Sequence, residues 1–180
     1  MYILGGREHA FALKIANSKL TKRLYVAPGN SGTQQIATNI LININDFEEV
    51  KRISLELEIS MIVVGPEDPL VNGIHDFFAK DIQTKSIAII GPKKKAASLE
   101  GSKDFAKKFL IRHNIPTASY ATFTKDNLND GFEFLKTLTP PYVLKADGLA
   151  AGKGVLIIEN LEEANNELRE MLVGEKFGIA

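Results

Sequence analysis

The 180-residue chain carries 22 Lys and Arg against 22 Asp and Glu, a formal net charge of zero, with 44% hydrophobic and 24% charged residues. That makeup can bury a core and excludes intrinsic disorder. The balanced charge removes the sequence-independent pull toward nucleic acid or an anionic membrane. With no cysteine there is no disulfide, thiolate nucleophile or Cys-ligated metal, and His9, His75 and His113 are spaced too irregularly for a cluster. No apolar stretch approaches the ~18 residues of a membrane span. Arg7, Glu8 and His9 also interrupt the apolar run that a secretory leader needs. The expectation is a cytoplasmic protein with no membrane or nucleic-acid partner.

Taken in chain order, short apolar runs at Tyr2–Leu4, Arg23–Val26, Met61–Val64 and Ile87–Ile90 read as strands. Helical periodicity fills the intervals: Ala10, Leu13 and Ala16; then Phe47, Val50, Ile53 and Leu57, with Asp46 placed to cap; then Ile74, Phe77 and Phe78. Strand–helix alternation of this kind predicts a parallel, doubly wound α/β sheet. Composition shifts after Gly91-Pro92, which puts a domain boundary near residue 92. Beyond it, Lys93–His113 reads as one helix ended by Ile115-Pro116. Tyr120–Phe123 is a candidate strand, Leu128–Leu138 a helix, Tyr142–Lys145 and Val155–Ile158 strands, and Leu161–Leu172 a closing helix.

Every run in the first half ends in glycine punctuation: Gly5-Gly6, Pro28-Gly29-Asn30, Gly65-Pro66-Glu67 and Gly91-Pro92. In a parallel sheet these turns share the carboxyl edge, where open α/β sheets bind ligands. The Gly5–Ala10 turn offers helix-start amides and Arg7 to a phosphate. It lacks the Gly-x-Gly-x-x-Gly pattern of a dinucleotide site, and Ala27-Pro28 after the second run offers no acidic residue for a ribose. Those absences weigh against a Rossmann-type oxidoreductase.

The strongest local signal is Lys145-Ala-Asp-Gly-Leu-Ala-Ala-Gly-Lys-Gly-Val155. Its three glycines free backbone amides and two lysines add charge, a set suited to a polyphosphate. Three residues separate Gly148 from Gly152, Gly154 follows Lys153, and a strand comes next. A P-loop needs four residues, then Ser or Thr, then a helix, so this is a hairpin flap over phosphates instead.

Taken together and in order, residues 5–10, 27–33, 64–70, 101–105 and 145–155 resemble the phosphoribosylamine–glycine ligases, ATP-grasp enzymes of purine biosynthesis. The resemblance implies a parallel, doubly wound pre-ATP-grasp domain over residues 1–92. It implies the start of an ATP-grasp domain over 93–180, with an α+β lid subdomain from about residue 116. It implies ATP as cofactor, held by Lys103, Lys145, Asp147, Gly148, Ala151, Gly152, Lys153, Gly154 and Val155. It implies phosphoribosylamine on the rim formed by Gly5, Gly6, Arg7, Glu8, Gly29, Asn30, Gly32, Thr33, Pro66 and Glu67, with glycine as the second substrate. The metal, Mg²⁺ or Mn²⁺, takes ligands expected beyond Ala180 and none within this chain. No catalytic nucleophile is assigned, and the assembly expected is a monomer or homodimer. Two departures stand out: Leu4 runs straight into Gly5-Gly6 where the family has Gly-Ser-Gly-Gly, and the family's chain continues well past Ala180. The chain therefore reads as the N-terminal part of a longer enzyme, without turnover of its own. The competing readings are another ATP-grasp carboxylate–amine ligase and a non-catalytic nucleotide-binding fragment.

Overall fold

The computed structural model describes residues 5–148 and 154–174. The expected strand at Tyr2–Leu4 and the loop residues Ala151, Gly152 and Lys153 lie outside the described residues. The chain divides into two units, Met1–Ser98 and Leu99–Ala180.

In the first unit α1 (Gly5–Ala16) leads to β1 (Tyr25–Val26), a short 3-10 turn at Thr33–Gln35, and β2 (Thr38–Asn39). Then come α2 (Phe47–Glu56), β3 (Met61–Val63), α3 (Glu67–Asn72), α4 (Ile74–Lys80) and β4 (Ala88–Ile90). β1 pairs with β2 and β3 with β4, both parallel, Tyr25 standing opposite Thr38 and Ile62 opposite Ile89. Alternation along the strand decides which helix covers which face. Ile62 is buried among Val50 of α2, Leu70 of α3, and Ile74 and Phe78 of α4. Its neighbour Val63 packs instead with Ala12 of α1, Leu24 and Val26. Successive strand side chains point to opposite faces, so β3 has helices on both, the doubly wound arrangement that the alternating runs predict. Val26 and Ala27 repeat the division, one in the α1 cluster and the other beside Val50. Phe78 and Ile62 are both fully buried, a contribution of about 1.5–3 kcal/mol each.

The helix boundaries have local causes. The Asp46 carboxylate accepts from Glu49 N at 3.1 Å and starts α2, as its position in the sequence predicts. α2 stops where Glu58 turns left-handed (φ 52°) and Ile59 N reaches back to Ser54 O at 2.8 Å.

α5 (Lys94–Gly101) runs across the division, and the second unit continues with α6 (Lys103–Arg112), α7 (Leu128–Lys136), β5 (Tyr142–Lys145), β6 (Val155–Ile158) and α8 (Leu161–Leu172). The single helix predicted over 93–113 is two. Ser102 sits between them in extended geometry (φ −141°, ψ 121°), and its hydroxyl accepts from Phe105 N at 3.0 Å. A serine that caps a new helix ends the old one. The strand predicted at Tyr120–Phe123 is not formed. Among the described residues no strand pairs with this segment, and side chains tie it to α6 instead. Thr122 Oγ1 donates to Asp104 Oδ1 at 2.8 Å, and Lys107 Nζ donates to Thr117 and to the Ala118 carbonyl while lying over the Tyr120 ring.

β5 and β6 form an antiparallel hairpin, Lys145 opposite Val155 and Val143 opposite Ile157. One face carries Tyr142, Leu144 and Ile158, packed on Leu135 of α7 and Ala164 and Leu168 of α8. The other face presents Val143, Lys145, Val155 and Ile157, all exposed. No helix among the described residues is long and apolar enough to cross a membrane.

Candidate functional site

In the first unit two close contacts link the start of α1 to the turns after β1 and β3. Glu8 is only 5% exposed, and its side chain fills the space beside Gly65. A Cβ on Gly65 would stand 2.7 Å from Glu8 Cγ and 3.0 Å from Oε1. One residue further, the His9 ring lies against Gly32, where a Cβ would be 2.4 Å from Cε1. At Gly65 the buried Glu8 leaves a side chain little room, whereas at Gly32 a Cβ would require the His9 ring to swing aside.

The turn after β1 braces itself. Asn30 Oδ1 accepts from Gly32 N at 2.9 Å and Thr33 N at 3.0 Å. The buried Thr33 hydroxyl accepts from Asn30 N at 2.8 Å and donates to Asn39 Oδ1 at 2.8 Å, while Asn39 Nδ2 donates to Asn30 O at 2.8 Å. Gly29 supplies the φ of +80° at the head of this turn. Gly5, Gly6 and Arg7 form the first turn of α1, whose leading N–H groups have no intrahelical carbonyl to meet. Pro66 and Glu67 follow Gly65 directly into α3, where Glu67 and Asp68 lie in the first turn and favour its dipole. Beyond β4, His75 Nδ1 donates to the Gly91 carbonyl at 2.8 Å, and Lys94 N donates to Asp76 at 2.7 Å. That last bond holds the Asp76 carboxyl below the usual carboxylate range.

In the second unit the base of the glycine-rich loop is anchored to α6. Ala146 N donates to Gly154 O at 2.8 Å, one rung beyond the β5–β6 ladder. Gly148 turns left-handed at φ 86°. Asp147 Oδ1 accepts from the backbone N–H of Lys103 at 2.5 Å and of Asp104 at 3.2 Å, and Oδ2 accepts from the Ser102 hydroxyl at 2.9 Å. Lys103 Nζ donates to Gly148 O at 2.9 Å. Lys103, Asp147 and Gly148 are thus one cluster, with Lys145 and Val155 side by side on the exposed hairpin face. Asp104 is turned away into a pair with Lys108; that hydrogen bond, reinforced by Thr122, lowers its carboxyl and raises the Lys108 ammonium. Among the described residues no three His, Asp or Glu side chains gather as a metal set.

Residues 3–100 match the phosphoribosylglycinamide synthetase N domain, and residues 101–180 match the phosphoribosylglycinamide synthetase ATP-grasp (A) domain. The chain belongs to the phosphoribosylglycinamide synthetase family. Phosphoribosylamine–glycine ligases of Pasteurella multocida and Haemophilus influenzae are each 45% identical to it over 98% of its length. The chain spans 40% of the length of those curated relatives. The crystal structure of the Thermotoga maritima phosphoribosylamine–glycine ligase superposes with a TM-score of 0.72 at 34% identity, covering 98% of this chain and 39% of that one. A biotin carboxylase domain from Hydrogenobacter thermophilus, at 20% identity and a TM-score of 0.66, shares the fold. The expected fold class, a doubly wound pre-ATP-grasp domain followed by the start of an ATP-grasp domain, is that of this family.

Ser102 and Asn39 also hold these clusters together. Ser102 had a legible signal, since a serine before Lys-Asp-Phe is a helix-start pattern. Asn39 had none; it works through a two-residue strand too short to show alternation.

Proposed function

We propose that the chain is the nucleotide- and sugar-phosphate-binding part of a phosphoribosylamine–glycine ligase, which joins glycine to 5-phosphoribosylamine in purine biosynthesis. The observation that carries this reading is the match of both family domains in order along the whole chain, with a glycine-bearing rim in one and a lysine-bearing hairpin in the other. In this reading the enzyme works in the cytoplasm, as a monomer or homodimer.

A carboxylate does not acylate an amine until one of its oxygens becomes a leaving group. ATP supplies that change: a glycine carboxylate oxygen takes the γ-phosphoryl group and ADP departs. The phosphoribosylamine nitrogen then attacks the acyl carbon, loses a proton and expels phosphate, giving glycinamide ribonucleotide. Such chemistry asks for cations and oriented amides more than for a protein nucleophile. Lys103 and Lys145 supply the cations on the nucleotide side. Gly148, Ala151, Gly152, Lys153, Gly154 and Val155 supply close backbone approach and charge. The exposed Val143, Val155 and Ile157 around Lys145 offer an apolar surface beside a cation, the pairing a base and its phosphates require. On the rim, Gly5, Gly6 and Arg7 offer helix-start amides and a guanidinium to the sugar phosphate. Glu8, Gly29, Asn30, Gly32, Thr33, Pro66 and Glu67 frame the ribosylamine. The described residues gather no acidic set for the divalent cation that accompanies ATP, and no step is assigned through it.

The test is ADP release by the protein from the complete reading frame, offered phosphoribosylamine with glycine and with a panel of other carboxylates. Glycine-dependent ADP release with formation of glycinamide ribonucleotide is the expected result. Release with another carboxylate and none with glycine overturns the reading in favour of a different ATP-grasp ligase.

A further inference from the structure

We propose that Asp147 is a positioning residue rather than a nucleotide ligand: it clasps the start of α6 so that the Lys103 ammonium is presented beside Gly148 to a polyphosphate. The proposal rests on the nucleotide reading above. Both carboxylate oxygens are already engaged, Oδ1 by the amides of Lys103 and Asp104 and Oδ2 by the Ser102 hydroxyl. A carboxylate at a helix N-terminus is stabilised there by the helix dipole, whereas toward a phosphate it would only repel. The Ser102 oxygen does two jobs, accepting from Phe105 N to start the helix and donating to Asp147.

Lys103 is held at both ends. Its backbone N–H binds Asp147 and its ammonium binds the carbonyl of the next residue, Gly148, across 44 and 45 positions of sequence. Among the described residues the ammonium uses one of its three donors, which keeps two for a ligand. A free lysine loses rotamer entropy when it engages a phosphate; one ordered beforehand loses less, which strengthens binding.

The test is calorimetric titration of MgATP into the protein from the complete reading frame and into its Asp147→Ala, Lys103→Ala and double variants, with the melting temperature of each recorded. Each single substitution is expected to weaken MgATP about tenfold, the loss of one charge-assisted contact. The double variant is expected to bind no more weakly than Lys103→Ala, because Asp147 acts through Lys103. Asp147→Asn, which keeps an acceptor for the α6 amides, is expected to stay within about threefold of the parent, and it serves as the second variant should Asp147→Ala fail to fold. A purely structural aspartate would lower the melting temperature without this coupling, and that result overturns the proposal. Losses that multiply in the double variant overturn it too, as does parental affinity in Asp147→Ala. A parent that takes up no MgATP overturns the nucleotide reading itself, and is told apart because it appears before any substitution.

Discussion

Glu8 of α1 and Gly65 at the end of β3 are packed so closely that a methyl group on the glycine would stand 2.7 Å from Glu8 Cγ. Because Glu8 is almost fully buried, its side chain has little room in which to give way. Gly65→Ala is therefore expected to cost about 1–3 kcal/mol, the usual price of overpacking. Urea denaturation measures it. A midpoint equal to the parent's would show that Glu8 does not occupy that space.

Thr33 is fully buried, and its hydroxyl is the hub of the turn after β1. Thr33→Val keeps the shape but leaves Asn30 N and Asn39 Oδ1 without that partner, an expected loss of about 1–3 kcal/mol. Thr33→Ser keeps the hydroxyl and should retain most of the stability. Equal denaturation midpoints for the two variants would show that the hydroxyl has no such role.

The Lys51–Asp81 pair sets a pH dependence whose sign follows from its hydrogen bond. The two side chains are 19% and 25% exposed. The bond from Lys51, with help from Gln83 N, holds the Asp81 carboxyl below its ordinary value, and the same bond raises the Lys51 ammonium. A lowered folded-state pKa means that the Asp81 contribution is whole above the unfolded value, about 3.9, and fades as pH falls through the folded one. The Lys51 contribution is whole below about 10.4 and fades as pH rises through its raised folded value. The melting-temperature difference between parent and Lys51→Met should be flat from about pH 5 to 9 and shrink below about pH 4. A difference unchanged at pH 3 would show that the pair does not carry this linkage.

Lys145 projects from the exposed face of the β5–β6 hairpin beside Val155. Lys145→Ala is expected to weaken ATP about tenfold while changing stability by no more than ~0.5 kcal/mol, as for an exposed side chain. Calorimetry and denaturation on the same sample separate the two effects. Unchanged affinity removes Lys145 from the nucleotide site.

Local properties were legible in the residues themselves. The apolar runs ending at Val26, Val64 and Ile90 and those flanking the glycine loop contain strands because burial period is written into consecutive side chains. The Asp46 cap is likewise a matter of three neighbouring residues. The break at Ser102 was missed because Lys93–His113 keeps a helical composition throughout, and the strand at Tyr120–Phe123 was expected because β propensity does not say whether a partner strand exists. Tertiary structure alone decided who meets whom: Glu8 with Gly65, His9 with Gly32, and Asp147 with the start of α6. A carboxylate reads the same in a sequence whether it faces a ligand or caps a helix 44 residues away. Its role is set by the amides that the folded chain brings to it.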